Sequence, residues 1–555
     1  HFGTHHPSWA RNLGSNGSLS EACVRGEGMN VKGTRIVLGT AVAGTAAVAA
    51  ALLLRRRLRR AIATNADEKE PPVANPGWFG LLKLMREAEA YGDDFFAYIS
   101  KVVKEMDSKV IVLNMWPLPS ITVAMDTEAV YSVKAVESKM ELRMNLGPAY
   151  EGLHGHDLQL MTGRMHQLWR KTLEVAFQPH ALNSYLPRLM DATAEMWSDL
   201  SEVCSFQPAV IRDHIRKTVL RVSADVFYGM TLDKGSVYFQ QLDCDFADEE
   251  AGLFALPIDL PGTTYRRARL AARRLRAAIR RQLRAEMARS DGRTPGEPIA
   301  GRPRPPRSAI EAILELRGKY DAEQTVCLAD ESTTLNNMLL LLEASQGTTN
   351  HTSTALLGLL HSDKSKASLE RLRAEVMHSS ATWAGRVPTL EDLERMKYAD
   401  ACINEAMRLF AIVAGKSLEL RQGQQLELCG KVVRGPTNLL VRWDHEYFNP
   451  VLFPRPDEFL PERWMEDAPD SIRASPDARR AFLPFGLGPH ICIGQRFTRL
   501  AMKVLLLTYF KGGYTLELDG PVERKPGRFP QFTVRNGLVA RVLAPGCVAN
   551  ASIGA

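Results

Sequence analysis

Apolar positions recur with the spacing of helices along most of the chain. Between residues 160 and 410 they return every three to four residues, which places them on one face of a helix. Residues 109–125 instead alternate on either side of a Pro-Leu-Pro turn, and this predicts a β-hairpin. Residues 411–445 have the pattern of short strands. The chain is therefore predicted to be mainly α, of the α+β class: a single large helical domain with small β-sheets.

The most apolar segment precedes this domain. Residues 36–54 contain nineteen uncharged amino acids, enough for a helix to cross the ~30 Å core of a bilayer. Five arginines follow within residues 55–60, so the positive-inside rule predicts a single-pass signal anchor with the rest of the chain facing the cytosol. The endoplasmic reticulum is the favoured membrane. Because no acidic residue stands between Glu27 and Asp67, an organelle transit peptide is an alternative, and a cleaved secretory signal is another.

Composition divides the chain into five parts. They are an N-terminal extension (1–35), the transmembrane anchor (36–54), a basic and Pro-rich linker (55–80), a globular domain (81–545) and a tail (546–555). Met29 is an alternative start, in which case residues 1–28 lie outside the native protein. A Pro/Gly/Arg-rich loop at 290–308 interrupts the helical pattern and is expected to be disordered.

The net charge of +7 is mostly local. Ten arginines stand between Arg266 and Arg289, which predicts a solvated helix face; a surface for a membrane or an acidic partner is the alternative. No aromatic residues interleave with these arginines, so nucleic acid is not expected as a partner. The eight cysteines include no CxxC pair, which argues against a zinc site.

Glu405 and Arg408 lie three residues apart and thus on one face of a predicted helix. Such a pair is ordinarily an exposed ion pair worth roughly a few tenths of a kcal/mol. Here the neighbouring positions are apolar, which indicates burial, and a buried pair needs further hydrogen-bond partners. Arg463, on a proline-anchored loop, is the candidate third member. A surface ion pair and a buried cluster both remain open.

Gly347 and Thr348 interrupt an apolar run at residues 339–360. A glycine next to a threonine is locally unfavourable inside a helix. One interpretation is a kink in a core helix. The other is a widening of the helix that lets a small ligand lie against it and bind the Thr348 hydroxyl.

Cys492 lies in a glycine-rich loop, FGLGPHICIG (485–494). Glycines permit positive φ and close approach of the backbone to a flat ligand. They also let backbone N–H groups point at the sulfur, and the helix predicted just after the loop favours a thiolate. A thiolate there is either a nucleophile or a metal ligand, and no His–Asn pair is identifiable to serve a nucleophile. A single thiolate is one of the ways in which haem iron is held.

Four motifs resemble, in order, those of the cytochrome P-450 superfamily. FGLGPHICIG resembles its haem-binding loop, a Phe-x-x-Gly-x-x-x-Cys-x-Gly pattern. Glu405 and Arg408 resemble its Glu-x-x-Arg helix, FPRPDEFLPERW (453–464) its Pro-Glu-Arg loop, and ASQGTT (344–349) its oxygen-binding helix segment. The resemblance spans about residues 70–545. It implies the cytochrome P-450 fold, a haem-thiolate catalytic domain and haem b (iron protoporphyrin IX) as the cofactor.

The resemblance assigns roles to individual residues. Cys492 would be the axial thiolate and the only protein bond to iron. His490 stands where the family places a basic residue that contacts a haem propionate. Arg170 and His166 stand where the family has two more propionate donors. At residue 166 an imidazole replaces the usual tryptophan indole. The resemblance also assigns cofactor binding to three residues of the loop, Phe485, Gly488 and Gly494. It assigns a structural role to Glu405, Arg408 and Arg463.

Two positions depart from the family pattern. Gly347 stands where an acid normally precedes the threonine and relays protons to dioxygen. Thr348 and Gly347 are thus the catalytic positions, with the route of proton delivery open. Glu343, one helical turn back, helps only if it faces the cavity. The family also has a basic residue about ten positions after Arg408; Leu418 stands there instead, between Lys416 and Arg421, so this propionate contact is not assigned.

The implied activity is that of a membrane-anchored mono-oxygenase. It would hydroxylate a hydrophobic substrate with O2 as co-substrate and electrons from NADPH through a separate reductase. Residues 166–185 and 253–275 are most similar to the branch that oxidises sterols, steroid hormones and other isoprenoids.

The expected partners are the reductase, membrane lipid and a hydrophobic small molecule, and the protein is expected to be a monomer. Arg170, Lys171 and Arg496 are expected to form a basic surface that docks the reductase. The alternative functions are a same-fold isomerase, dehydratase or desaturase, suggested by Gly347, and a non-catalytic haem-thiolate sensor.

Overall fold

The computed structural model describes residues 69–74, 95–115, 119–204, 207–291, 308–315, 330–468, 471–526 and 532–545. Helices dominate these residues. They are numbered in chain order: Phe95–Glu105 (α1), Thr127–Met140 (α2), Gly147–His154 (α3), Gly163–Glu174 (α4), Pro179–Cys204 (α5), Ile211–Tyr228 (α6), Val237–Gly252 (α7), Thr264–Asp291 (α8), Ala309–Glu315 (α9), Glu331–Leu360 (α10), Lys366–Thr382 (α11), Leu390–Glu394 (α12), Lys397–Phe410 (α13), Pro476–Ala481 (α14) and Gln495–Lys511 (α15).

The strands are short. They are Val73–Ala74 (β1), Val110–Leu113 (β2), Ile121–Met125 (β3), Arg143–Met144 (β4), Ala209–Val210 (β5), Gly415–Leu420 (β6), Gln425–Leu428 (β7), Lys431–Arg434 (β8), Thr437–Arg442 (β9), Thr515–Leu518 (β10), Arg524–Pro526 (β11), Phe532–Val534 (β12) and Val539–Leu543 (β13). They form one sheet in the order β1-β2-β3-β9-β6-β4 and three smaller sheets, β10-β13-β5, β11-β12 and β7-β8.

The hairpin predicted for residues 109–125 is confirmed. Strands β2 and β3 pair antiparallel with Val110 opposite Ala124, and β3 then pairs parallel with β9. The strands predicted within 411–445 are confirmed as β6 to β9. Strands β6 and β7 alternate between buried and more exposed positions, whereas β2, β3 and β9 are buried on both faces, with Val110 and Ala124 in one core cluster and Val123 in another.

The largest core lies between α5, α6, α10, α13 and α15. In α5, Leu182, Leu186 and Leu189 are buried at helical spacing, and each such leucine contributes roughly 1.5–3 kcal/mol. The indole Nε1 of Trp197 donates to the carbonyl oxygen of Leu505, 3.1 Å away, and so joins α5 to α15. This packing fixes α10, which carries Gly347 and Thr348, and the start of α15, which follows the cysteine loop directly.

Helix α10 is α-helical from Glu331 to Leu360, through Gly347 and Thr348. The Asp330 carboxylate caps it by accepting from the backbone N–H groups of Ser332 and Thr333. The helix is thus continuous through Gly347, the position at which the sequence left a kink and a widening open.

The arginines of α8 lie next to acidic side chains. Arg274 contacts Asp245 of α7 at 2.6 Å, and Arg269 contacts Asp259 at 2.8 Å. Glu331 at the start of α10 accepts from Arg284 at 3.1 Å. These ion pairs balance much of the positive charge, so the arginine cluster is a charged helix face rather than an unopposed basic surface.

Several predicted parts lie outside the described residues. These are the extension, the anchor, the whole tail, most of the linker, and residues 292–307 of the loop. Among the helices that are described, none combines the length and apolarity needed to cross a bilayer.

Candidate active site

The Glu405 carboxylate is the centre of a buried cluster at the inner face of α13. Its two oxygens accept from Nη2 and Nε of Arg408 at 2.8 and 3.0 Å, and Oε1 also accepts from Nε of Arg463 at 3.0 Å. Trp464 Nε1 donates to Oε2 at 2.9 Å. Arg408 donates further to backbone carbonyl oxygens, including that of Tyr447 at 2.6 Å. The buried interpretation of this pair is therefore confirmed, and the cluster ties the loop at 453–464 to α13.

The loop that carries Cys492 is held by its own backbone. The N–H of Cys492 donates to the carbonyl oxygen of Phe485 at 3.0 Å, and that of Ile491 to Gly488 at 3.1 Å. Gly488 has φ +88°, and a Cβ there would lie 2.6 Å from Oε2 of Glu137. Only glycine suits that position, because both the backbone angle and the contact exclude a side chain.

Cys492 is accessible, whereas Cys204 and Cys402, also free cysteines of the described chain, are buried. Protein nevertheless surrounds the thiol closely, and burial raises its pKa; the N–H of Gly494 and the charge of Arg170 oppose this rise. The loop N–H groups therefore lower the pKa of the thiol, as predicted, but burial raises it by more. A metal cation at the sulfur would supply the additional stabilisation that a thiolate requires.

Arg170 of α4 contacts the cysteine loop directly. Its Nη1 donates to the carbonyl oxygens of Pro489 and Ile491 at 3.1 and 2.7 Å, and its Nε lies 2.7 Å from Glu174. The side chain therefore points inward and holds the loop, which corrects the expectation that Arg170 belongs to an external docking surface. Lys171, the next residue, is exposed.

The two predicted propionate histidines lie together. The rings of His166 and His490 have centroids 4.3 Å apart. His490 uses both nitrogens, Nδ1 with Glu137 Oε1 and Nε2 with the Met161 carbonyl oxygen, each at 3.1 Å. His166 Nε2 is buried without a hydrogen-bond partner among the described residues. Burial, helped by the charge of His490, lowers the pKa of His166 to about 4, so its neutral ring can donate one N–H.

A buried ion pair that the sequence did not predict lies beside this loop. Lys416 Nζ is 2.5 Å from Glu137 Oε2 and donates to the Leu487 carbonyl oxygen at 3.3 Å. Burial alone would raise the pKa of Glu137, but the contacts with His490 and Lys416 lower it. Lys416 thus places a basic side chain beside the cysteine loop, where Glu137 and the Leu487 carbonyl oxygen engage it, while Leu418 is buried in the core.

The alternation of β6 could have identified Lys416, because it shares a strand face with Leu418 and stands two residues nearer the start of the strand. Glu137 carries no such signal. It is one of two acids in α2, with Glu128, and only the fold brings it to the loop.

An accessible strip runs along the middle of α10. It consists of Glu343, Ala344, Gly347, Thr348 and His351, which follow one another at spacings of one and three residues and so lie on one face of the helix. The Thr348 hydroxyl donates to the Ala344 carbonyl oxygen at 3.0 Å. Its lone pairs, not its proton, therefore face outward, which changes the expectation that Thr348 is a hydrogen-bond donor to the ligand.

These residues fit a haem. Cys492 offers one accessible sulfur, and the glycine loop allows a flat ligand to approach. Nε2 of His166 is buried without a hydrogen-bond partner among the described residues, and a propionate oxygen would satisfy it in the tautomer that protonates this nitrogen. Phe485 and Gly494 belong to the loop that would contact the cofactor. His490 fits less directly, since protein groups already engage both of its nitrogens.

Comparison with known proteins gives consistent results. A family model described as "Cytochrome P450" matches residues 71–528. "Putative cytochrome P450 120" of Synechocystis sp. is 28% identical over 373 residues, 66% of this chain and 72% of that protein. "Cytochrome P450 26B1" of Homo sapiens is 26% identical over 376 residues, and the match covers 65% of each chain, just under two thirds of that relative.

A solved structure shares the fold. "Retinoic acid bound cyanobacterial CYP120A1" aligns with a TM-score of 0.68 at 21% identity, covering 86% of this chain and 99% of that one. At this identity the likeness shows the arrangement of helices and sheets and nothing about the ligand of this chain.

Proposed function

Because this chain belongs to the cytochrome P450 family of monooxygenases, we propose that it hydroxylates a hydrophobic isoprenoid, using O2 and electrons that a reductase passes on from NADPH. The accessible thiol of Cys492 in its glycine loop is the observation that carries this proposal. Haem b, held by that sulfur, would supply the oxidation chemistry.

The residues of the chain position the reactants. Arg170 holds the carbonyl groups of the cysteine loop, and Nε2 of His166, which has no partner among the described residues, would donate to a propionate of the haem. The Glu405 cluster keeps the loop at 453–464 in place behind the site. Thr348 presents hydroxyl lone pairs to the cleft and orients a water molecule or a protonated group there.

The isoprenoid class rests on two observations. The segments at 166–185 and 253–275 are most similar to the sterol and isoprenoid branch of the family. The cyanobacterial protein that shares the fold has retinoic acid bound, and retinoic acid is an isoprenoid. The proposal extends that class to this chain.

The proposal also covers the membrane location of the enzyme and the docking of its reductase. Residues 36–54 anchor a monomer in the endoplasmic reticulum, with the catalytic domain in the cytosol and in contact with lipid. The reductase docks on the side that carries Lys171 and Arg496, both of which are exposed.

A second candidate is a same-fold isomerase, dehydratase or desaturase. Gly347 supplies no acid, and the Thr348 proton is directed at Ala344. A reaction that needs no proton delivery to dioxygen would suit this arrangement. An isomerase or a dehydratase differs from the first candidate because it forms product without NADPH and the reductase. A desaturase removes two hydrogens from its substrate and still needs O2 and electrons, so its product, an alkene instead of an alcohol, distinguishes it.

The decisive experiment is spectroscopic. The reduced, haem-loaded protein treated with carbon monoxide is expected to show the red-shifted Soret absorption that thiolate ligation gives. Cys492→Ser is expected to lose that absorption, and Cys429→Ser, a matched change at another described cysteine, to keep it. A wild-type protein without this absorption would reject the proposal.

The substrate class is tested separately, by titrating the loaded protein with sterols and terpenoids. The spectral shift that follows substrate binding is expected for members of that panel. No shift with any member would reject the isoprenoid class and leave the haem-thiolate assignment intact.

A further inference from the structure

Asp157 organises a tight turn, residues 157–161, between α3 and α4. One oxygen of its carboxylate, Oδ1, accepts from the backbone N–H groups of Gln159 and Leu160 at 3.0 and 3.3 Å. Its backbone carbonyl oxygen accepts from the N–H groups of Leu160 and Met161 at 3.1 and 3.0 Å. Because Asp157 is fully buried, water does not compete for these bonds, and they hold the turn in one backbone conformation.

Two neighbouring helices bind the same turn. The second carboxylate oxygen of Asp157, Oδ2, accepts from the Tyr150 hydroxyl at 2.6 Å and lies 3.3 Å from Nδ1 of His154, both in α3. The N–H of Leu158 donates to Oδ1 of Asn337 in α10 at 2.8 Å. Each backbone N–H that follows Asp157 in the turn thus has an acceptor, and these acceptors belong to Asp157 or Asn337.

The last residue of the turn contacts the cysteine loop. The Met161 carbonyl oxygen lies 3.1 Å from Nε2 of His490, and Nδ1 of the same ring lies 3.1 Å from Oε1 of Glu137. A carbonyl oxygen can only accept, so Nε2 is protonated and donates. His490 stands two residues before Cys492. The turn therefore sets the orientation of an imidazole ring that lies next to the sulfur in the sequence and is predicted to contact a haem propionate.

From this arrangement we propose that Asp157 is a positioning residue for the haem. It acts through the Met161 carbonyl oxygen, which fixes Nε2 of His490 and thereby the orientation of that ring. The inference rests on the proposed function, because it takes the adjacent rings of His166 and His490, with centroids 4.3 Å apart, as the propionate site. Loss of the Asp157 carboxylate would let the turn move, and with it the carbonyl oxygen that holds His490.

The rate of haem release tests this proposal. Ferric, haem-loaded protein is mixed with excess apomyoglobin, and the transfer of haem is followed by absorption at neutral pH. Asp157→Ala removes both carboxylate oxygens and is expected to release haem about 10-fold faster, as the loss of one hydrogen bond allows. Asp157→Asn keeps an oxygen for the N–H groups of Gln159 and Leu160, and its rate is expected to stay within about threefold of the wild type. Release from Asp157→Ala at the wild-type rate would overturn the proposal.

A matched control separates positioning from a general loss of stability. Asp243 of α7 is also buried, and its Oδ2 accepts from Nη2 of Arg216 at 2.9 Å. Asp243→Ala is the same substitution at a buried carboxylate outside the turn. It is expected to lower the melting temperature and to leave the rate of haem release within about threefold. A rate that follows the melting temperature alike in both Asp→Ala variants would mean that Asp157 only stabilises the fold, and the proposal would be wrong.

A double-mutant cycle tests the route through His490. His490→Ala alone is expected to speed haem release. Asp157→Ala added to it is expected to change the rate by less than about twofold more, because the ring that Asp157 positions is then absent. Additive effects of the two substitutions would show that Asp157 does not act through His490 and would contradict the proposal.

A second substitution serves if Asp157→Ala does not fold. Asp157→Glu keeps the negative charge beside His154, but its longer side chain does not form the two-residue turn that an aspartate closes onto Gln159. It is also expected to release haem faster than the wild type, and a wild-type rate in this variant would overturn the proposal.

Failure of the proposed function is recognised independently, as a wild-type protein without the haem-thiolate absorption. A variant that keeps this absorption still binds haem through Cys492. Faster release from such a variant is then a change at the propionate side of the site, as the proposal requires.

Discussion

The Nζ atom of Lys416 lies 2.5 Å from Oε2 of Glu137, and both side chains are almost fully buried. Glu137 also accepts from His490, so α2, β6 and the cysteine loop meet at a single carboxylate. Because loss of one partner leaves a buried charge uncompensated, this pair constrains the loop that presents Cys492.

Replacing Glu137 with glutamine is therefore expected to destabilise the haem-free protein by about 3 kcal/mol. The free energy of unfolding in urea measures this. Glu151→Gln is the control, since Glu151 forms a partly exposed pair with Arg143 and its loss is expected to cost less than about 1 kcal/mol. In the haem-loaded protein a propionate can take the place of Glu137, so the loss there should be smaller. An equal loss of unfolding free energy with and without haem would show that Lys416 and His490 do not pair with a propionate of the cofactor.

The Glu405 cluster gives a second stability prediction. Glu405→Gln leaves Arg408 and Arg463 buried with one carboxylate fewer, and the expected cost is about 3–5 kcal/mol. Chemical denaturation followed by circular dichroism tests this. Glu391→Gln breaks an exposed pair with Arg395 and should cost no more than about 0.5 kcal/mol. Similar small losses for both variants would contradict the buried, cooperative character of the cluster.

The sequence predicted these two clusters to different degrees. Glu405 and Arg408 share a helix face with apolar neighbours, so local periodicity indicated their burial, and Arg463 followed from its motif. Glu137 and Lys416 are 279 residues apart, and neither stands in a local pattern that requires a partner. Spacing along one element is readable from a sequence, whereas contacts between distant elements depend on the packing of the whole domain.

The same limit applies to side-chain direction. The sequence placed Arg170, His166 and Thr348 near the site. It did not indicate that Arg170 holds two loop carbonyls or that the Thr348 proton points at Ala344. Hydrogen bonds to backbone oxygens depend on local geometry that residue types do not specify.

His154 predicts a dependence of stability on alkaline pH. Burial alone would lower its pKa, but Glu249 and Asp157 raise it to about 10, against 6.5 ordinarily. The stabilisation is therefore complete below pH 6.5 and is lost as the pH rises towards 10. The free energy of unfolding of the wild type should fall across this window, by up to about 1.4 kcal/mol per pH unit for one proton. His154→Gln should flatten the slope, and His378→Gln, at an exposed position, should not.

Glu343 predicts a second pH range over which stability changes, lower than that of His154. Its pKa is about 8 in the folded protein and 4.5 ordinarily, so the folded state holds a proton that the unfolded state releases between these values. Stability is expected to decline from pH 4.5 to 8 and to change no further above pH 8 on account of this group. Glu343→Gln should remove that part of the decline in urea unfolding at successive pH values. An unchanged slope in this variant would show that the Glu343 carboxyl is ionised at neutral pH.

Gly347 gives a prediction about catalysis. It lies on the accessible strip of α10 next to Thr348, whose hydroxyl proton is directed at the Ala344 carbonyl oxygen. If proton delivery limits the reaction, Gly347→Asp should raise the fraction of NADPH that yields product. The expected gain is about two- to tenfold, a small part of the 10²–10⁴ that a positioned proton donor contributes.

Gly347→Asn is the matched control, since it has the same size and cannot supply a proton in this way. It should leave the ratio of product to NADPH unchanged. Product and NADPH are measured in the same reaction, together with the peroxide released by uncoupled turnover, which should fall only in Gly347→Asp. Equal behaviour of the two variants would mean that protons already reach the site by another route, and that the missing acid at residue 347 does not limit turnover.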